Sequence, residues 1–467
     1  MFSSKIEKSA FIIGSIGLVF LPLSLSLTQL FLYLGSLLLL ILFFLNKNSN
    51  KIPLPWAIIV LYIWLMILSL FLGISIKTIF SSEGKDVFLI LFFIWSFYFT
   101  GTQYKTILLK LLSIVFILYL FIGIIGLFLP FRLSNFIYHL QNGFYFNGNI
   151  RSQHLIFSLD FLPLYWHLEN QIYPIGIYMP VGFSGTHLSF GSQISMITFY
   201  FFSMFYFSIL KEPLKKVIPL ILINLLCLIL LFFIQARSSL FGFIITLIVF
   251  IIFITIQLLQ NPDYKIKLIK ISKLLLRLIS FGGILFLIIL YNSEYLKETF
   301  LQTFGLEKKH TDYQRLLLWY TTLRIFIKNP FIGSGLNQFQ STIFNEILQI
   351  IKEKPLLWYP LYQTEIMHGH NDLIHFLITG GMIAGILYIL FFYFQFKNLM
   401  LLKKIELISE SKETVFIVFL FLPVFLLFAG LFQCYFLDDY TMQLFWILYG
   451  ISISLLKQKL DKEENYV

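Results

Sequence analysis

Long apolar stretches separated by short polar connections dominate this sequence. A helix that crosses a bilayer needs about 20 mainly apolar residues, and this length predicts about twelve spans. Their approximate bounds are 9–25, 28–46, 54–74, 86–100, 106–131, 188–210, 217–235, 238–259, 273–291, 372–396, 414–434 and 442–456. Only residues 24–29 separate the first two, so a single re-entrant hairpin is the alternative there. The pattern predicts an all-α polytopic membrane protein.

Two long polar segments interrupt this pattern, at residues 132–187 and 292–371. The first is rich in turn-forming residues and predicts surface helices and loops that lie on the membrane. In the second, Thr311-Asp312-Tyr313-Gln314 has the form of a capping box. Apolar residues at helical spacing follow it until Asn329-Pro330 stops the helix. Residues 336–354 predict a second amphipathic helix.

The charges add an orientation to these elements. Of the 467 residues, 58% are hydrophobic and only 12% are charged, and the net charge is +11. Most of the lysines fall in alternate short loops, and such loops face the cytoplasm. Both termini are therefore predicted to be cytoplasmic, with the two polar segments on the opposite, periplasmic side. Because the positive charge follows the loops, we predict membrane lipid and anionic ligands as partners, and no nucleic acid.

These expectations divide the chain into consecutive regions. They are N-terminal transmembrane helices at 1–131, a first periplasmic segment at 132–187, central transmembrane helices at 188–291, a large periplasmic loop with amphipathic helices at 292–371, C-terminal transmembrane helices at 372–456 and a cytoplasmic tail at 457–467. Cys227 and Cys434 lie in or at the end of apolar runs, so no disulfide framework is predicted.

The densest polar cluster is His368-Gly369-His370-Asn371-Asp372, directly before a long apolar run. Asn371 or Asp372 is the predicted N-cap of the helix that begins there. His370 then lies beside the positive end of a helix dipole, which favours a neutral imidazole that can accept a proton. The same position attracts phosphate.

Two other interpretations of these histidines remain open. His368, His370 and His375 could be interfacial residues that are hydrogen-bonded to loop carbonyls. His368 and His370 could also bind a metal, but no acidic or cysteine partner stands at a ligand spacing, so no metal site is predicted.

Two arginines stand where a cation is costly. Arg237 lies in a very short connection between two apolar runs, where a guanidinium usually faces the interior of a helix bundle or an aqueous cavity. The alternative is that it reaches lipid phosphates. Arg315 lies in the first turn of the predicted amphipathic helix, against the positive end of its dipole. Solvent exposure explains that position equally well. Together with His370, the arginines suit an anionic, diphosphate-containing ligand.

Other polar residues are weaker candidates for binding a substrate. Asp438 and Asp439 lie just before the last predicted span, where they could orient a base, pair with Arg237 or simply form a solvated loop. His187 ends the turn-rich stretch 182–187 and could contact a sugar or a lipid head group. The sequence contains no nucleotide-type glycine loop and no serine-nucleophile motif.

The ordered motifs resemble the O-antigen ligase and O-antigen polymerase superfamily of bacterial membrane glycosyltransferases. The resemblance rests on His370-Asn371 followed by Gly381, on Arg315-Leu316-Leu317-Leu318-Trp319, on residues 329–336 and on Arg237-Ser238-Ser239. It implies a C-type glycosyltransferase-like fold with about twelve transmembrane helices. Ala384 stands where glycine is common in the family, a mild departure.

The resemblance also implies an activity. A metal-independent, inverting glycosyltransferase of the bacterial inner membrane would move a glycan from an undecaprenyl diphosphate-linked donor to an acceptor hydroxyl on the periplasmic face. His370 would act as the base, while Arg237 and Arg315 would hold the diphosphate; His187, His368, Asn371, Asp438 and Asp439 are the further substrate-binding candidates. The acceptor is lipid A-core in a ligase, a lipid-linked glycan in a polymerase and a protein side chain in an oligosaccharyltransferase.

The ligase is the preferred interpretation because Arg237, Arg315 and His370 follow one another in the order of its pattern. A transporter or flippase of lipid-linked sugars is the alternative from another class, and a scaffold is the third. Transporters often show inverted repeats and helices broken near the midplane. The polar residues of this chain concentrate instead at one predicted membrane face.

Overall fold

The computed structural model describes residues 2–45, 52–81, 83–134, 153–158, 165–168, 171–259, 301, 310–362, 368–404 and 413–464. The predicted span at 273–291 lies outside the described residues. Among those residues, six helices are long and apolar enough to cross a membrane. The protein is therefore a predominantly α-helical, polytopic membrane protein, as predicted.

The amino-terminal half is a series of apolar helices. They are α1 (Phe2–Phe20), α2 (Leu25–Leu45), α3 (Trp56–Phe71), α4 (Ile76–Ile79), α5 (Ile90–Thr100), α6 (Lys105–Phe128), α7 (His187–Lys211), α8 (Leu214–Ile234) and α9 (Arg237–Leu259). The first two apolar runs form separate helices, which pack so closely that a side chain at Gly35 would meet the Ala10 carbonyl at 2.9 Å. A 3₁₀ segment at Glu83–Leu89 replaces the start of the predicted span 86–100.

The carboxyl-terminal half carries the remaining helices. They are α10 (His310–Lys328), α11 (Phe339–Glu353), α12 (Trp358–Tyr362), α13 (Asp372–Met400), α14 (Glu413–Ile417), α15 (Leu422–Ala429) and α16 (Asp439–Glu464), with 3₁₀ turns at Pro355–Leu357, Leu401–Lys404 and Val418–Phe421. Helices α10 and α11 are the two predicted amphipathic helices. The second begins at Phe339 instead of residue 336 because Asn337 has a left-handed backbone, with φ 59°.

The first polar segment differs from the predicted surface helices. Its described part contains two antiparallel strand pairs, β1 (Leu155–Ser158) with β4 (Gly176–Tyr178) and β2 (Tyr165–Leu168) with β3 (Gln171–Pro174). These short runs are rich in aromatic and β-branched residues, which favour strands. Each run is also too short to form a stable amphipathic helix.

Most of the apolar helices share one large core, and α10 and α11 have a smaller core of their own. Its buried members are Leu317, Leu318, Phe339, Ile343, Ile347, Ile350, Leu361 and Ile378. Since Ile378 belongs to α13, this smaller core also fixes the α10–α11 pair to a membrane helix.

A break in α13 completes that attachment. Gly381 has φ 69° and ψ −166°, and a side chain there would meet the Phe331 carbonyl at 2.3 Å. The freed backbone groups are used by the loop after α10: Met382 N–H donates to the Pro330 carbonyl at 2.8 Å, and Gly335 N–H donates to the Thr379 carbonyl at 2.8 Å. The loop is thus hydrogen-bonded into α13, which fixes α10 beside the first turns of that helix.

Candidate active site

Three hydrogen bonds hold the start of α13 against the connecting loop, residues 430–438. Asn371 is the N-cap, as predicted: its Oδ1 accepts from Ile374 N–H at 3.0 Å, and its Nδ2 donates to the Leu431 carbonyl at 3.0 Å. Asp372 N–H donates to the Gly430 carbonyl at 2.9 Å, and its Oδ1 accepts from Phe436 N–H at 3.1 Å. The connecting loop therefore has a fixed position relative to the residues that precede Asn371.

His370 is held in an unusual conformation beside that loop. Its φ of 47° lies in the left-handed region, which costs roughly 1 kcal/mol for a residue other than glycine. Its Nδ1 lies 3.0 Å from Gln433 Oε1, and its ring centroid lies 4.3 Å from that of His368. Trp319 of α10 donates its indole N–H to the Gly369 carbonyl at 3.0 Å. The strained residue is thus supported on two sides.

The histidines of this cluster have side-chain partners. Gln433 bridges two of them, since its Nε2 lies 3.0 Å from His368 Nε2. His375 Nε2 lies 3.4 Å from Glu83 Oε1. Among the residues described by the structure, no group of three or more His, Cys, Asp or Glu is arranged to hold a metal ion.

His368 is kept neutral by its surroundings. Burial lowers its pKa to about 3, and the charges of His370, His375 and Arg315 act in the same direction. Arg315 and Arg132 are also near enough for their charges to act on the ring of His187, at the start of α7. Arg315, His368 and His187 therefore converge on one region, although they come from three separate parts of the sequence.

Arg237 begins α9 after a left-handed turn at Gln235, whose φ is 56°. The next residue, Ser238, forms a hydrogen bond of 2.8 Å with the hydroxyl of Tyr435 in the connecting loop. Ser239 bonds to the same hydroxyl. The connecting loop thus joins the start of α9 to the start of α13, and with it the elements that carry Arg237 and His370.

The two aspartates have other partners than those expected from the sequence. Asp438 accepts from the Thr441 hydroxyl at 2.6 Å and from Tyr440 N–H at 3.2 Å, and burial raises its pKa to about 6. Asp439 accepts from the Gln29 amide at 3.0 Å and lies 3.7 Å from Lys85 Nζ. The expectation of a solvated loop is wrong, because these bonds tie both carboxylates to neighbouring elements. Neither aspartate orients His370; its Nδ1 contacts Gln433 instead.

An apolar groove opens beside this cluster. Its volume is about 270 Å³, and Asn371 forms its polar end. Its other lining residues come from α13, α15 and the connecting loop: Leu373, Tyr388, Ile389, Phe392, Tyr393, Phe396, Leu427, Gly430 and Leu431. The groove therefore extends along the membrane helix away from the histidines.

Sequence reasoning missed Gln433, the Glu83–His375 pair and the groove. Gln433 is 63 residues from His370 and carries no motif of its own. Glu83 lies in a polar connection between two predicted spans, where no motif distinguishes it from its neighbours. Only the fold brings these residues to the start of α13.

Apolar helices that end at a shared cluster of histidines and arginines define a multi-pass membrane protein with a polar site at the helix ends. Residues 222–389 match the family model described as O-antigen ligase, so this segment of the chain is similar to that family. The resemblance inferred from the motifs is confirmed, and the match indicates an enzyme of the O-antigen ligase or polymerase type. The match includes Arg237, Arg315 and His370, whereas His187, Gln433 and both aspartates lie outside it. A search of curated proteins found no match to the chain.

Proposed function

We propose that the protein is an O-antigen ligase-like glycosyltransferase. It moves a glycan from an undecaprenyl diphosphate-linked donor to an acceptor hydroxyl of lipid A-core. The observation that carries this proposal is a strained, hydrogen-bonded histidine, His370, that shares one cluster with His368 and Arg315 and directly precedes Asn371, which lines an apolar groove. A ligand for this site has a polar, anionic head and an apolar chain, and a lipid-linked glycan has both.

In the proposed reaction, His370 takes the proton from the acceptor hydroxyl as that oxygen attacks the anomeric carbon. The bond from the anomeric carbon to the diphosphate breaks, and the diphosphate leaves with the electron pair. Arg315 and Arg237 neutralise the charge that develops on it. Attack opposite to the leaving group inverts the anomeric carbon, and no metal is required in this scheme.

The other candidate residues have supporting roles in the proposal. Asn371 sets the position of His370 through its N-cap bond and lines the groove. His368 stays neutral, so the arginines supply the positive charge that faces the diphosphate. His187 lies near Arg315, where it can contact the sugar or the diphosphate. Asp438 and Asp439 act on the substrate only indirectly, through the position of the connecting loop.

We also propose the arrangement in the membrane. The chain crosses the inner membrane about twelve times, with both termini in the cytoplasm and the site on the periplasmic face. The lysine-rich alternate loops support this orientation. The regions 1–131, 188–291 and 372–456 are then the three transmembrane blocks, 132–187 and 292–371 are the periplasmic segments, and 457–467 is the cytoplasmic tail.

The test is glycan analysis of cells that lack this chain and are complemented with the wild type or with His370→Ala. We expect naked lipid A-core, with long glycan still attached to the lipid carrier, in cells that carry His370→Ala. His154→Ala is the matched control, because that histidine is exposed and lies outside the cluster. Single repeat units in place of long chains would instead identify a polymerase. Normal glycans with His370→Ala in the membrane at wild-type abundance would refute the proposal.

A further inference from the structure

Gln433 contacts two histidines of the candidate site but has no role in the proposed reaction. Its side chain is buried, with 8% exposed, and its two polar atoms lie between the rings of His370 and His368. A buried amide has both a donor and an acceptor to satisfy, and here two imidazole nitrogens satisfy them. The amide can therefore set the proton positions on both rings.

The contacts assign those positions. In this orientation of the amide, Gln433 Oε1 accepts, so His370 Nδ1, at 3.0 Å, carries the proton of that bond. Gln433 Nε2 is only a donor, so His368 Nε2, at 3.0 Å, must accept. His368 then carries its proton on Nδ1.

The loop fixes the place of the amide beside the two rings. The main chain on both sides of Gln433 is bonded to the start of α13, through the Leu431 carbonyl with Asn371 and through Phe436 N–H with Asp372. Gln433 and His370 are therefore carried by two segments that are clamped to each other. The clamp keeps the amide on Nδ1 without any contact from Gln433 to a substrate.

We propose that Gln433 is a positioning residue that holds His370 in the Nδ1–H tautomer, so that Nε2 is the nitrogen that accepts the proton from the acceptor hydroxyl. This inference rests on the proposed function, in which His370 is the base. A neutral amide orients the ring without stabilising an imidazolium, whereas a carboxylate in its place would also raise the basicity of the ring.

Two substitutions separate positioning from packing. Gln433→Leu keeps much of the volume and removes both hydrogen bonds, so we expect transfer to fall by about 10- to 100-fold at every pH. Gln433→Glu keeps the shape and adds a charge that favours the imidazolium. We expect the acid limb of its pH–rate profile to move to higher pH by about one unit. Phe432→Leu is the control, because that neighbouring side chain is partly exposed and packs on Phe241 instead.

The other titratable groups near the histidines stay in place in each variant. They are Arg315 from α10, His375 and Asp372 from α13, and Cys434 and Asp438 from the connecting loop. A shift between Gln433→Glu and the wild type therefore reports the new carboxylate. A purely structural role of Gln433 would lower the rate or the abundance of the protein and leave the profile where it is.

The direct measurement is the ¹⁵N spectrum of the full-length protein in lipid nanodiscs, with ¹⁵N-labelled histidine. The resonance lost in His370→Ala identifies His370, and we expect it to show a protonated Nδ1 in the wild type and mixed tautomers in Gln433→Leu. A protonated Nε2 in the wild type, or an unchanged spectrum in Gln433→Leu, would overturn the inference. So would wild-type transfer by Gln433→Leu when His370→Ala is inactive. Wild-type transfer by His370→Ala would instead refute the proposed function, while the spectrum would still test the tautomer.

Discussion

His370 lies just before α13 and His375 in its first turn, yet the partners of the two histidines differ in chemistry. His370 Nδ1 contacts the neutral amide of Gln433, and its backbone is strained. His375 contacts the carboxylate of Glu83 at 3.4 Å, with side chains that are 2% and 12% exposed. Glu83 in turn accepts from Asn337 N–H at 2.8 Å, just before α11. The amide of Gln433 orients His370, whereas the carboxylate of Glu83 connects His375 to the segment before α11.

The two histidines therefore have different tasks in this interpretation. His370 performs the chemistry. His375 fastens the 3₁₀ segment at Glu83–Leu89 and the start of α11 to the transmembrane helix that carries the site. Substitution at one should impair the reaction, and substitution at the other should impair the stability.

The largest expected effect is on the reaction. With purified protein and a lipid-linked glycan donor, His370→Ala should lower the transfer rate by about 10²- to 10⁴-fold, because the acceptor hydroxyl loses its base. The thermal midpoint in detergent should stay within a few degrees of the wild type. A rate loss that is matched by an equal loss of folded protein would mean that His370, like His375, is a structural residue.

A similar contrast exists along α10 and can be tested next. Arg324 forms two bonds to Glu353, at 2.7 and 2.9 Å, and a third to Glu346 at 3.0 Å. Arg315, at the other end, is near enough to His368 for its charge to lower the pKa of that histidine. Arg315→Gln should lower the transfer rate by about 10²-fold or more, because a developing diphosphate charge loses a cation.

Arg324→Gln is the matched control for that prediction, since it removes the same charge from the same helix. Its rate should stay within a few fold of the wild type. Equal rate losses in the two variants would show that the net charge of α10 matters and that the place of Arg315 does not.

The smaller expected effect belongs to His375. His375→Ala leaves the buried Glu83 carboxylate without its ring partner, and an unsatisfied buried acceptor costs about 1 to 3 kcal/mol. We expect a lower thermal midpoint and a rate per folded molecule that falls less than tenfold. An unchanged midpoint would refute the idea that this pair fastens the outer segment.

Part of this arrangement could be predicted from the sequence. The apolar runs predicted most helix bounds, because a helix in a membrane needs a continuous apolar stretch. The N-cap of α13 followed from local chemistry at Asn371. The partners of both histidines did not, because Gln433 and Glu83 approach them only after distant helices have packed. The strand pairs were missed because short aromatic runs in a polar segment carry no clear period.

The last and smallest effect is a pH dependence of stability. Burial alone would raise the pKa of Glu83, but the charge of His375, its hydrogen bond and the Asn337 N–H together lower it below its usual value. A carboxyl whose pKa is lower in the folded state stabilises the fold above its unfolded pKa. That contribution is lost as the pH falls through the lowered pKa.

Other groups titrate in the same range, and their signs differ. His368, with a folded pKa of about 3, costs stability as the pH falls below its usual value. Asp438, with a folded pKa of about 6, gains stability over part of that fall. Glu83→Gln leaves both unchanged, so the difference between wild type and variant reports the Glu83–His375 pair. Between pH 5 and pH 3, the thermal midpoint of the wild type should fall further than that of Glu83→Gln. Parallel curves would show that the carboxylate contributes no charge-dependent stability and that an uncharged hydrogen bond is enough to hold His375.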